Sequence, residues 1–116
     1  MKYSGVVQKG VRRGAALGFP TANIALPDGV PSGIYAARAY LKKDEAPYMT
    51  AVFVDEKRKL LEAYILDFSN DLYGQTITIE LHQKIRDRKD FKSENELRAA
   101  IADDIDEVRT YFSNHT

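Results

Sequence analysis

Between Thr76 and Ile85 the chain alternates with a period of two, Ile77, Ile79, Leu81 and Ile85 against Thr76, Thr78, Glu80, His82 and Lys84. A strand written this way has one buried and one wet face, so it needs other strands beside it and an apolar layer beneath it. Three further stretches, Ile34 to Leu41, Tyr48 to Val54 and Leu61 to Phe68, are short and rich in aromatic and β-branched residues, as strands are. Asn70 to Gly74 reads as a hairpin turn in which Gly74 supplies a positive φ. The period then changes. Ser93 and Glu96 make an S-x-x-E capping box, and Leu97, Ile101, Ile105, Val108 and Phe112 recur at three- and four-residue spacing. This predicts one long helix with a single apolar stripe, and Asp103, Asp104, Asp106 and Glu107 are read as its solvated side. About six strands and one helix predict a single mainly β domain over residues 1–116, a closed or nearly closed barrel with a terminal helix.

Composition removes several function classes. The absence of cysteine excludes a disulfide scaffold, a thiolate zinc site and thiol catalysis. Seventeen Lys and Arg against seventeen Asp and Glu argue against a general nucleic-acid binder, which needs a cationic surplus to displace counterions. Apolar runs are only a few residues long, so no membrane span is expected. With no signal-peptide pattern at Met1 to Ser4, a cytoplasmic protein is expected, and a barrel this small is expected to be monomeric. Charge is nevertheless uneven. Residues 1–40 carry Lys2, Lys9, Arg12, Arg13 and Arg38 against Asp28 alone, which suits a phosphate-bearing ligand, whereas residues 90–116 are predominantly acidic. His82 and His115 are expected to be solvated.

The most informative stretch is Gly5 to Asn23, GVVQKGVRRGAALGFPTAN. Backbone N–H groups in such a loop can cradle phosphate oxygens, with Lys9, Arg12 and Arg13 adding positive charge. Neither common phosphate motif fits: Val11-Arg12 stands where a Walker A loop needs Lys and Ser/Thr, and G-x-G-x-x-G is absent. On spacing alone, tight turns between short strands explain the glycines equally well. Glu62 is the second singular residue. Alternation puts it on one face with Tyr64, Leu66 and Phe68, which implies either a task for the carboxylate or a wet edge strand.

The run Gly10…Gly14…Leu17-Gly18-Phe19-Pro20-Thr21-Ala22-Asn23 resembles the signature of the riboflavin kinase family, a glycine-rich segment ending in G-[FIY]-P-T-A-N. Pro31-Ser32-Gly33-Ile34-Tyr35-Ala36 resembles the family's P-x-G-V-Y-A, and Glu62 to Phe68 followed by Asp71-Leu72-Tyr73-Gly74 resembles its E-x-H-[IL]-x-x-F…D-[LF]-Y-G. Ile85-Arg86, Phe91, Ser93, Leu97, Ile101 and Asp104 are similar to its closing helix, so the likeness runs in order along nearly the whole chain. The resemblance implies a six-stranded antiparallel Greek-key barrel with a C-terminal helix. It also implies transfer of the ATP γ-phosphoryl group to the ribityl 5′-hydroxyl of riboflavin, giving FMN, with Mg²⁺ or, in some members, Zn²⁺. By that resemblance Gly10, Arg13, Gly14, Gly18, Pro20, Thr21 and Asn23 bind the nucleotide, Thr21 and Asn23 hold the metal, and Glu62 is the general base. Arg86, Asp87 and Phe91 fall to the flavin. Riboflavin and ATP are then the partners.

The chain departs from the family pattern at two places. Val54 to Leu60 is a compact charged segment where the family is usually longer, and Tyr64 stands where histidine is common. An N-terminal FMN adenylyltransferase domain, frequent in bacterial members, does not fit within these residues, so FAD synthesis is not expected. Beside the kinase, a non-catalytic flavin- or nucleotide-binding module of the same fold stays open, favoured by the short 55–60 segment.

Overall fold

The computed structural model describes residues 1–9, 18–42 and 46–115, so Gly10, Arg13 and Gly14 lie outside the described residues. Among the described residues the strands are β1 (Lys2–Val6), β2 (Ala22–Ala25), β3 (Ile34–Leu41), β4 (Tyr48–Asp55), β5 (Leu60–Ile65) and β6 (Thr76–Arg86). They are followed by one helix, α1 (Glu94–Asn114). The strands form one antiparallel sheet in the order β1-β6-β3-β4-β5-β2, so the first strand pairs with the last in Greek-key fashion. The sheet curls until its two edges meet. The Gln8 N–H donates to the Asn23 carbonyl at 2.8 Å, and the backbone of Gly5 lies against Ile24. The result is the nearly closed barrel that the strand pattern predicts.

Two apolar layers hold it together. Ile24, Val52, Leu61, Ile77 and Ile79 are fully buried inside the barrel, each at the inward phase of its strand. On the outside, Ala36 of β3 stands opposite Ala51 of β4, and these two small side chains leave a shallow trough. Val108 and Phe112 of α1 fill it together with Leu66. The helix thus covers the outer face of β3 and β4 rather than plugging the barrel. Among the described residues no helix is long and apolar enough to cross a membrane.

The helix starts as the capping box predicts, with one change. Ser93 Oγ accepts from the Glu96 N–H at 3.2 Å, but the Glu96 carboxylate reaches back to the N–H of Lys92, not of Ser93. The stripe differs from expectation at Asp104, which is buried together with Ile101, Val108 and Phe112 instead of solvated. Its carboxylate receives Arg86, which is why burial is tolerated. The histidines also find partners. His82 bonds Glu80 at 2.8 Å and meets Phe112 edge-on, while His115 stacks on Tyr111.

β5 ends earlier than expected. Asp67 takes φ 59°, which breaks the alternation: Leu66 joins the helix-side layer, but Phe68 swings to the barrel side and packs on Tyr48. Glu62 therefore shares its face with Tyr64 and Leu66 but not with Phe68.

Gly5 carries the closure of the barrel. A Cβ there would lie 3.0 Å from Ile24 Cβ, tighter than side chains ordinarily pack. Gly5→Val is expected to cost about 1–3 kcal/mol by forcing β1 and β2 apart, measured as a lower denaturation midpoint. A variant as stable as the parent would mean that the two edges do not depend on this contact.

Candidate active site

Cross-strand register builds the site. Asn23 of β2 stands opposite Glu62 of β5, Glu62 opposite Phe53 of β4, Phe53 opposite Ile34 of β3, and Ile34 opposite Arg86 of β6. Directly opposed residues share a face, so these five side chains form a row across the outside of the barrel. Their strand neighbours Ile24, Leu61, Ala63, Val52 and Val54 point the other way into the core.

Over this row lies a cavity of about 450 Å³. Ile34, Phe53 and Glu62 line it from the sheet, Leu97 and Ile101 from α1, and Arg86 and Phe91 from the connection between β6 and α1. Phe19 and Thr21 enter from the segment before β2, and Asp55 and Arg58 from the β4–β5 turn. The cavity mixes aromatic and aliphatic walls with charged groups: Arg58, Arg86, Arg88 and Lys89 stand around it with the carboxylates of Asp55, Glu62 and Asp90. A second cavity of about 300 Å³ lies on the other side of Thr21, bordered by Pro20, Ala22, Ala63, Phe68 and Leu72, with Ser69 to Asp71 on its polar side. Thr21 lines both.

Glu62 is half-buried, and burial pushes its carboxyl above the ordinary glutamate range. Nearby Asp55 pushes the same way, while Arg58 and the Thr21 hydroxyl pull it back. A carboxylate that binds protons this readily in a cavity is suited to accept one from a substrate hydroxyl. Thr21 Oγ1 donates to Asn23 Oδ1 at 3.2 Å and also reaches the Glu62 carboxylate. One hydroxyl proton cannot serve both acceptors, so this trio has spare oxygen lone pairs turned toward one another. Asn23 is itself buried, its position fixed by the bond from Gln8 to its carbonyl.

The β4–β5 turn is the compact charged segment of the sequence. Lys59 takes φ 58°, and Asp55 accepts from both the backbone N–H and the guanidinium of Arg58, each at 3.1 Å. Burial works to raise the Asp55 carboxyl, but these bonds outweigh it and hold the group below the ordinary carboxylate range.

The candidate residues do not all converge. Glu62, Thr21, Arg86 and Phe91 line the larger cavity, Asn23 adjoins it through Glu62, and Pro20 borders the smaller one. Gly18 is exposed, with φ 92°. Asp87 lines neither cavity; its exposed carboxylate pairs with Lys84. Phe19, Ile34, Phe53, Val54, Asp55, Arg58, Arg88, Lys89, Asp90, Leu97 and Ile101 complete the lining, none of them a residue to which the resemblance assigns a role in the site. For Phe53 the signal is the strand register, which no local motif carries.

These features describe a small antiparallel barrel with a half-buried carboxylate in its larger cavity and a second cavity that shares Thr21 with it. The chain belongs to the riboflavin kinase family: the family model described as Flavokinase, riboflavin kinase, matches residues 1–112. It is 36% identical over 121 residues to the bifunctional riboflavin kinase/FMN adenylyltransferase of Buchnera aphidicola subsp. Acyrthosiphon pisum, covering 97% of this chain and 39% of that protein. Its fold is similar to riboflavin kinase from Trypanosoma brucei, with a TM-score of 0.68 at 26% identity over 97% of this chain and 79% of that one. It is also similar to a protein solved as a macrolide-efflux protein from Streptococcus pneumoniae, with a TM-score of 0.80 at 27% identity over 93% of this chain and 38% of that one. The chain spans between 18% and 39% of the length of the curated relatives it matches.

Proposed function

We propose that this domain transfers the γ-phosphoryl group of ATP to the ribityl 5′-hydroxyl of riboflavin, giving FMN and ADP. The observation that carries the reading is the place of Glu62, half-buried in the larger cavity and beside Thr21, the residue that lines the smaller cavity as well. The flat flavin suits the larger cavity, where Phe19, Phe53, Phe91, Ile34 and Leu97 offer apolar surface to its ring, and the nucleotide suits the smaller one beside Pro20 and Leu72. The 5′-hydroxyl then lies near Glu62. Its oxygen forms the new bond to the γ-phosphorus, the bond from that phosphorus to the ADP oxygen breaks, and the hydroxyl proton passes to the Glu62 carboxylate. Phosphoryl transfer asks mainly for alignment and charge compensation, which this division into two cavities supplies.

The residues present fit a divalent metal brought in with the nucleotide. Thr21 Oγ1 and Asn23 Oδ1 are hard oxygen atoms 3.2 Å apart, close to the ~2.9 Å between neighbouring ligands around Mg²⁺. Among the described residues no group of three or more His, Asp or Glu side chains could hold a metal without such help. An all-oxygen pair favours Mg²⁺ over Zn²⁺, which prefers nitrogen and sulfur. When bound, the ion would neutralise phosphate charge. Thr21 and Asn23 would orient it, and the β2–β5 pairing keeps Asn23 facing Glu62.

Two measurements test this reading. ADP release from MgATP should depend on added riboflavin, and release no faster than in buffer would sink the kinase assignment. Thr21→Ala or Asn23→Ala should each weaken MgADP affinity about tenfold, the equivalent of one lost contact to a charged group. Unchanged affinity in both variants would remove them from the nucleotide site.

A further inference from the structure

The connection from β6 to α1 contributes Arg86 and residues 88–91 to the larger cavity, yet among the described residues no backbone–backbone hydrogen bond ties residues 87–91 to the rest of the barrel. What does tie this segment is a side-chain strap. Arg86 Nε donates to Asp104 Oδ1 and Nη2 to Oδ2, both at 2.8 Å, while Nη1 donates to the Asp87 carbonyl at 3.2 Å. The guanidinium also lies over the Phe91 ring, 5.6 Å from its centroid. Its hydrogen-bonding edge is therefore turned to the helix and the loop. The other charge pairs of the segment, Lys84 with Asp87 and Arg88 with Asp90, are solvent-exposed and hold little.

The Asp104 side chain is only 3% exposed, a carboxylate set in the buried stripe of α1 between Ile101 and Val108. An apolar side chain at this position would serve packing at least as well, because a buried ion pair often contributes no more stability than apolar residues of the same size. Such a pair does fix geometry: two parallel bonds to a planar fork allow one orientation.

We propose that Asp104 is a positioning residue of the larger cavity. Through Arg86 it fixes the Asp87–Phe91 segment against α1 and so sets where Phe91 and Arg86 stand beside a flat heteroaromatic acceptor. The inference rests on the reading of that cavity as the riboflavin site. Asp104 itself touches neither cavity; its effect passes entirely through Arg86.

The test uses the whole chain with riboflavin and MgADP as separate probes, together with amide exchange of residues 87–92. Asp104→Asn keeps the shape and loses the charge. It should raise the Kd for riboflavin about tenfold or more, leave the Kd for MgADP within about twofold, and speed exchange across 87–92. Asp104→Glu should recover part of the riboflavin affinity. Because Asp104→Asn leaves a buried cation half-paired, the apolar double variant Arg86→Met/Asp104→Leu provides a folded control. In the Arg86→Met background, adding Asp104→Leu should change riboflavin affinity less than twofold, since the residue has lost its intermediary. Unchanged riboflavin affinity and exchange in Asp104→Asn, equal loss of both ligands, or effects of the two positions that simply add would each overturn the proposal. A parent chain that binds no riboflavin at all would instead bring down the reading of the cavity, and so separates that failure from this one.

Discussion

Glu62→Gln should lower riboflavin phosphorylation by about 10²–10⁴-fold, the usual contribution of one positioned base, while MgADP binds as before. The substitution keeps the size of the side chain and its place opposite Asn23 and Phe53, and removes only the ability to take a proton. A pH signature accompanies it. Because burial, aided by Asp55, holds the Glu62 carboxyl above its ordinary value, the group is still protonated where an exposed glutamate would be ionised. Turnover of the parent should therefore fall, as pH drops, at a pH above the ordinary glutamate range near 4.3, and this limb should vanish in the variant. The stability consequence has the opposite sign. A carboxyl whose pKa is raised by folding costs the folded state stability when ionised, a cost present at neutral pH and gone once pH falls below the unfolded value. Glu62→Gln should thus raise Tm at pH 7 and lose that gain in acid. A variant that is inactive and also less stable than the parent would show that the effect comes from misfolding.

Phe112→Ala should destabilise the chain by about 3–5 kcal/mol, the range for emptying a buried aromatic site. Phe112 is almost fully buried in the helix-side layer with Val108, Ala36, Ala51 and Leu66. His82 meets its ring edge-on at 5.3 Å and the Arg38 guanidinium lies 4.9 Å from its centroid, so both polar groups lose a partner as well. The loss should reach function, because α1 supplies Leu97 and Ile101 to the larger cavity. Urea unfolding would check it, and a loss under about 1 kcal/mol would mean that the helix is held mainly elsewhere, for example by the Arg109–Asp67 pair at its exposed side.

Much of this architecture is legible in the residues, and the gaps have physical causes. β3 and β6 announce themselves because branched and aromatic side chains alternate or cluster over eight or more residues, and α1 because its stripe persists for four turns. β1 and β2 carry no such signal. They are five and four residues long, and Gly5 and Asn23 sit where an apolar residue would mark a buried phase. In the sequence Asp104 reads as solvated, grouped with Asp103, Asp106 and Glu107 on the face away from the apolar stripe. Its spacing, three residues after Ile101 and four before Val108, already places it on the buried stripe, but the partner that makes this affordable is Arg86, eighteen residues earlier. Glu62 stands out because a carboxylate interrupts an apolar face. Its neighbours Asn23, Phe53, Ile34 and Arg86 come from four other strands, and only the register of the closed sheet brings them into one row.

The most direct test of the central claim is chromatographic. Purified protein is incubated with riboflavin and MgATP, and FMN is followed over time for the parent and for Glu62→Gln. FMN from the parent, with formation in the variant at least about a hundredfold slower, is the expected result. No FMN from a folded parent, or equal FMN from both, would contradict the account: the first would remove the reaction, the second the role given to Glu62.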